Sequence, residues 1–138
     1  SFDQARDAID AVAPALEIVE KRGNFAGDLP LAFASNAQQR AFVTGPFTPY
    51  GGDVDLSEID VVVTVNGVEK ETAKGAEVLG SPVNSLIYLS SKLAKFGRGL
   101  NSGDLVMSGS FTKQYVVERG DEVDVSFSHF GAVTAKFG

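Results

Sequence analysis

The sequence predicts an α+β fold dominated by antiparallel strands, with two helices packed against them. Three observations carry this expectation. Val61, Val63 and Val65 alternate up to Asn66-Gly67, the preferred pair for a two-residue type I′ turn, and Val68 opens a return strand. Ser81-Pro82 supplies a serine N-cap and a proline at the first helical position, ahead of an apolar face at Val83, Leu86, Ile87, Leu93 and Ala94. Fifteen glycines and ten phenylalanines in 138 residues, beside many β-branched residues, suit strands joined by tight corners.

Phe2, Ala5, Ile9 and Val12 or Ala13 recur near helical spacing with acids between them, which predicts a helix over residues 2–13. Pro14 ends it, because proline disfavours helical geometry at the residue before it. ALEIVE, residues 15–20, reads as a short strand, and RGNFAGDLP, residues 22–30, as a loop without a packed period. AFASNAQQRAFVTG begins as a loop or helical turn and finishes as a strand over residues 41–44, stopped by Gly45 and Pro46. PFTPYGGD is a second loop, leading to the valine hairpin. Gly97 closes the helix that Ser81 opens. The last third is β: LNSGDLVMSGS and VVERGDEVDVSF each place a Gly-Asp corner before an apolar strand. Val123, Val125 and Phe127 alternate, Gly131 turns the chain, and AVTAKF returns. The two corners are too short and dissimilar for a solenoid repeat. No linker or low-complexity stretch divides the chain, so residues 1–138 read as one domain.

Composition narrows the function. A chain this long buries roughly two-thirds of its unfolded surface, enough for a core without staples. Net charge is −6 and no Lys/Arg cluster exceeds two neighbours, which argues against nucleic acid and against an anionic membrane as partner. The absence of cysteine excludes disulfides, thiolate zinc sites and a cysteine nucleophile, and fits a bacterial-type cytoplasm. No apolar run approaches the roughly 18 residues of a membrane span.

Among single residues, Glu17 is the oddest, a carboxylate inside an apolar run. A metal ligand, a general base and a residue on the wet face of a strand are all open readings. Glu69-Lys70-Glu71 follows the Asn-Gly turn and reads as a solvated strand edge. Ser35 and Asn36 either satisfy local backbone groups in a turn or face a ligand. Ser110, and more weakly Ser108, sits on a glycine-rich corner that is either a β-turn between two strands or one that brings donors close to an anion. His129 is the only histidine, so neither a histidine pair nor a Ser-His pair has support, and it reads as structural or exposed. Lys74 and Arg40 read as lone surface cations, and Phe33, Phe42, Phe47 and Phe111 as core or loop packing.

Several strings, taken in order, resemble the fumarylacetoacetate hydrolase superfamily, in its 2-oxopent-4-enoate hydratase and 4-oxalocrotonate decarboxylase branch. They are ALEIVEKR, ASNAQQRAFVTG, KGAEVLGSPVNSLIYLSSKLAKFGRGLNSGDLVMSGSFT and VVERGDEVDVSFSHFGAVTAKF, which together cover nearly the whole chain. The resemblance implies a β-roll or barrel-like sheet of that family's C-terminal type with two flanking helices. It also implies a lyase acting on small 2-oxo or 2-hydroxy-dienoic acids, in which Mg²⁺ or Mn²⁺ held by three carboxylates stabilises an enolate. A hard cation with oxygen ligands and open positions suits a bidentate 2-oxo acid. On this resemblance Glu17 is the third metal ligand, while Ser35, Asn36 and Ser110 bind substrate.

The sequence departs from the family in three ways. The family's Glu-x-Glu ligand pair would fall before residue 1, so metal binding by this chain alone is expected to be weak or absent. Completion by an N-terminal segment or a second subunit is expected with it. Ser35 stands where the family usually has aspartate, and Glu20-Lys21-Arg22 where it more often has Asp-Ser-Arg. The loops over residues 23–30 and at PFTPYGGD also look unlike a typical member. The resemblance further implies a homo-oligomer. The rival expectation is a non-catalytic structural or interaction module that keeps the fold.

Overall fold

Alternating valines build the central sheet. The computed structural model describes residues 1–23 and 27–138. In it β5 (Asp60–Val65) turns through Asn66 and Gly67, both at positive φ as a type I′ turn requires, into β6 (Val68–Lys74). On its other side β5 pairs antiparallel with β7 (Glu122–Phe127), which pairs with β8 (Gly131–Lys136), giving the order β6-β5-β7-β8. The register sets Val63 opposite Val125 and Val125 opposite Val133, all three buried, so one face of the sheet carries a continuous valine row. Val61, Val123 and Phe127 extend that row into a core closed by Tyr50, Leu56, Ile59, Val83 and Phe130. Burying each such side chain stabilises the fold by about 1.5–3 kcal/mol against leaving it in water.

The expected helix over residues 2–13 is shorter. It spans α1 (Phe2–Asp7), opened by a Ser1 capping box with Gln4 and ended at Ala8. The backbone beyond is taken by strand pairing instead. β1 (Ala11–Val12) pairs with β4 (Thr48–Pro49), and the Tyr50 amide donates to the Asp10 carbonyl at 2.9 Å. Ile9 and Val12 still reach the core, so the apolar spacing marked burial correctly and the wrong geometry for it.

The expected strand at ALEIVE forms as β2 (Ala15–Val19), paired with β3 (Gln39–Thr44), which starts two residues before the expected position. Ahead of it lies a third helix, α2 (Leu29–Ala34), N-capped by Asp28 with Pro30 in its first turn; it starts three residues before the expected loop or helical turn at AFASNAQ. The loop expected over residues 22–30 therefore ends earlier, and its middle lies outside the described residues. The main helix, α3 (Pro82–Ala94), begins at the Ser81 cap as expected. Beyond its end Gly97 adopts a positive φ while the Arg98 amide reaches back to the Leu93 carbonyl at 3.0 Å. Ala94, placed on the apolar face by its spacing, is exposed.

Gly75 is required by close approach, because a methyl group there would overlap the Leu56 carbonyl. The strand expected after Asp104 does not form. Residues 105–110 run without a ladder, whereas the one after Asp121 is β7. The three antiparallel sheets do not close into a barrel, although β2 and β3 both contact β8. No helix among the described residues is long and apolar enough to cross a membrane.

Candidate active site

Three of the four expected site residues lie on or beside one two-stranded ribbon. In β2, Leu16 turns toward the core and Glu17 the other way, opposite the half-exposed Phe42 on β3. Glu17 is exposed, and among the described residues its carboxylate makes no hydrogen bond or ion pair. Val19, at the end of the same strand, pairs with Gln39, so the loop preceding β3 sits beside Glu17's end of the ribbon.

That loop carries Ser35 and Asn36. Ser35 ends α2, where its hydroxyl donates to the Ala32 carbonyl at 3.0 Å. Asn36 donates from Nδ2 to Gln39 Oε1 at 2.7 Å. Asn36, Ala37 and Gln38 follow one another at positive φ, which is costly for side chains with a Cβ. Gln38 Oε1 is buried with no hydrogen-bond partner among the described residues.

Arg22 holds this loop in place, a role that sequence reasoning passed over. Its guanidinium donates to the Ser35 carbonyl at 3.2 Å and to the Gln39 carbonyl, and pairs with Glu20 at 3.3 Å. A fixed fork of five donors is what lets one side chain meet two carbonyls and a carboxylate. The signal was present in the EKR string, read there only as a departure in the residues before the arginine.

Ser110 is elsewhere. Its hydroxyl donates to the Thr112 carbonyl at 2.6 Å, and it stands between Gly109 and Phe111, two residues that line a cleft of about 740 Å³. Residues 8–15 and 100–109, with Phe47, Leu86, Phe111 and core side chains such as Ile59 and Phe127, line that cleft, and Ala15 lies two residues from Glu17 on the same strand. Glu17 and Ser110 thus flank the cleft without lining it. Among the described residues the lining includes Asp10 and Asp104 but neither lysine nor arginine, so these offer no side-chain cation to an anionic substrate.

The other candidates fall as follows. Lys74 is not a lone cation: it pairs with Asp60 at 2.8 Å, and that contact raises its pKa. Arg40 lies 3.8 Å from Glu20. Glu71 is half-buried and accepts from the Tyr115 hydroxyl at 2.6 Å, while a bulge at Lys70 separates it from Glu69. The string is therefore a bulged edge, only partly solvated. The hydrogen bond to Glu71 pushes the Tyr115 pKa up to about 12. Phe111 packs edge-on against Phe127 at 5.6 Å, but Phe33, Phe42 and Phe47 are exposed, against the expectation of packing for the whole set. His129 is exposed at a turn with φ 68°.

No group of three or more His, Cys, Asp or Glu side chains among the described residues could hold a metal ion. Glu17 is one exposed carboxylate, and Glu20 is engaged by Arg22. A divalent ion needs more oxygen ligands than this, so the described residues do not by themselves fit such a centre.

An antiparallel α+β scaffold with a polar, strained loop beside a lone strand carboxylate is the class of protein this chain defines. Residues 1–137 match the fumarylacetoacetate (FAA) hydrolase C-terminal family, and the chain belongs to it. The chain is 36% identical over 131 residues to a 4-oxalocrotonate decarboxylase of Pseudomonas putida, covering 94% of this chain and 50% of the relative. It is 32% identical over 143 residues to a 2-keto-4-pentenoate hydratase of Paraburkholderia xenovorans strain LB400, covering 99% and 51%. Among solved structures, the 4-oxalocrotonate decarboxylase of Pseudomonas putida G7 complexed with calcium and acetate superposes with a TM-score of 0.90. Its identity is 33%, over 99% of this chain and 52% of that one. The same enzyme complexed with magnesium and adipate gives 0.89 at 32% identity. The chain spans about half the length of the relatives it matches.

Proposed function

We propose that this chain is one part of a lyase of the hydratase/decarboxylase type, working in the cytoplasm on small 2-oxo or 2-hydroxy-dienoic acids. The observation that carries the reading is the superposition at a TM-score of 0.90 on a decarboxylase solved with a divalent cation and a carboxylate. Glu17, Ser35, Asn36 and Ser110 are this chain's share of the site. By turning from their present backbone partners, the hydroxyls of Ser35 and Ser110, with the Asn36 amide, would hold the carboxylate and 2-oxo oxygens of the substrate, and Arg22 would keep the Ser35 loop in position. Mg²⁺ or Mn²⁺, if bound, would supply positive charge that offsets the negative charge developing on the 2-oxo acid. Holding it would require carboxylates beyond Glu17, from an N-terminal segment or a second subunit.

The test compares the 138-residue chain with the same chain carrying the N-terminal half of the Pseudomonas putida 4-oxalocrotonate decarboxylase ahead of Ser1. Calorimetric titration with Mn²⁺ and a turnover assay on 2-oxo acids are the readouts. The expected outcome is weak or no Mn²⁺ binding by the chain alone, and binding with turnover by the joined protein. Glu17→Gln is expected to weaken that binding by about tenfold or more. A folded joined protein with neither binding nor turnover overturns the proposal and leaves a non-catalytic module.

A further inference from the structure

The two Gly-Asp corners are the same turn. At one, the Asp104 amide donates to the Asn101 carbonyl at 3.1 Å, and Asp104 Oδ2 accepts from the Asn101 amide at 2.8 Å. At the other, the Asp121 amide donates to the Glu118 carbonyl at 3.1 Å, and Asp121 Oδ2 accepts from the Glu118 amide at 2.7 Å. Gly103 and Gly120 take the same left-handed φ, 88° and 95°. Yet the outcomes differ. After Asp121 the chain enters β7, paired on both sides. After Asp104 it is paired on neither.

The segment after Asp104 alternates in burial as a strand does, without a ladder. Val106 and Ser108 turn inward while Leu105 and Met107 are exposed, the period of two that a strand imposes. The Ser108 carbonyl is held from the inner side by the Ser85 hydroxyl. Residues 105–117 exchange no backbone–backbone hydrogen bond with any described residue. Over residues 105–109, the Ser108 carbonyl apart, the amides and carbonyls have no hydrogen-bond partner among the described residues. Such a row beside apolar side chains is a template for an added strand. The adjoining cleft is mostly apolar, carries Asp10 and Asp104, and among the described residues has no lysine or arginine in its lining. That chemistry suits an apolar polypeptide strand rather than a small acid.

We propose that residues 105–109 are an open strand edge that pairs with an extended apolar strand from the N-terminal half of a family member, seated in this cleft. The relatives are about twice the length of their match to this chain, and the match lies in the family's C-terminal portion. The inference rests on the reading of the chain as one part of a larger lyase, and it says where the other part attaches.

Hydrogen exchange by mass spectrometry tests it, on the 138-residue chain and on the joined protein described above. The amides of residues 105–109 exchange fast in the chain alone at every protein concentration. They slow by at least about tenfold in the joined protein, while those of the buried strands β5 and β7 stay protected in both. Equal exchange in the two proteins overturns the proposal. Protection that grows with the concentration of the chain alone also overturns it, in favour of a second copy. A joined protein whose β5 and β7 amides lose protection is misassembled. The chain is then mixed with a synthetic peptide for each strand-like stretch of the relative's N-terminal half, and protection by none of them overturns the proposal. Slow exchange without turnover defeats only the lyase reading, and turnover without slow exchange defeats only the strand.

Discussion

At the scale of single residues, the contacts that matter are those the sequence could not pair. Tyr115 and Glu71 are far apart in the chain, and only the fold brings the hydroxyl to the carboxylate. The raised Tyr115 pKa means the folded state holds the neutral phenol more tightly than the unfolded state does. Its contribution is therefore complete below pH 10 and is lost as pH climbs toward about 12. Urea titrations across pH 9–12 should show the wild type losing more stability than Tyr115→Phe over this window. Identical slopes would mean the pair contributes nothing. Ala37 offers an opposite test. Its φ of 49° is strained for a residue with a Cβ, so Ala37→Gly should raise stability by about 0.5–1 kcal/mol in the same titration. Sequence pattern exposes neither effect, since alanine is the least demanding residue to place and its strain comes entirely from the loop around it.

At the scale of elements, the valine hairpin and the Ser81 helix were legible because local chemistry and tertiary need agree there. Asn66 shows how far that agreement extends. The turn needs its positive φ, and its side chain also bridges to Asp121 at 2.8 Å and accepts from the Glu122 amide at 2.9 Å. The hairpin tip is thereby tied to the corner that launches β7. Asn66→Gly keeps the turn geometry and removes only the bridge, and loss of the Glu122 acceptor should cost about 1 kcal/mol. The bond from Asn66, followed by that from the Glu118 amide, holds the Asp121 pKa below its usual value. The associated stability is present above about pH 4 and disappears as pH falls through the lowered value. Asn66→Gly should flatten that acid limb, and an unchanged limb would show that the Glu118 amide alone sets it. The first helix and the strand after Asp104 were misread for one reason. Periodicity reports which side chains are buried, whereas the partner strand decides the backbone geometry. Thr48–Pro49 captured residues 11 and 12, and nothing described captured residues 105–109.

At the scale of the whole molecule, the sequence made the family legible through ordered strings spread along the chain, and of the candidate site it offered residues but not their surroundings. Glu17 could be named from its place in ALEIVEKR, but its exposure and lack of neighbouring carboxylates emerge only once β2 and β3 are paired. The same exposure recurs on β3 and on the helix that precedes it in the chain. Leu29, Leu31 and Phe33 on α2 and Phe42 opposite Glu17 all stand open to solvent, an apolar surface that favours burial against another polypeptide. Opposing this is the net charge of −6, which repels like copies at low salt. The balance yields a prediction for the chain alone. Sedimentation equilibrium should show self-association that strengthens as salt rises from about 0.01 to 0.15 M, because the Debye length falls from about 30 to about 8 Å. Apolar burial is not weakened by that screening. Phe33→Ser and Phe42→Ser should each weaken the association by about tenfold, the loss of one well-buried aromatic contact at an interface. If the chain stays monomeric at all salts, or associates equally well with both phenylalanines replaced, this face is not where copies meet. These exposed side chains would then be left for a different polypeptide, as the proposed reading of the chain as one part of a larger lyase expects.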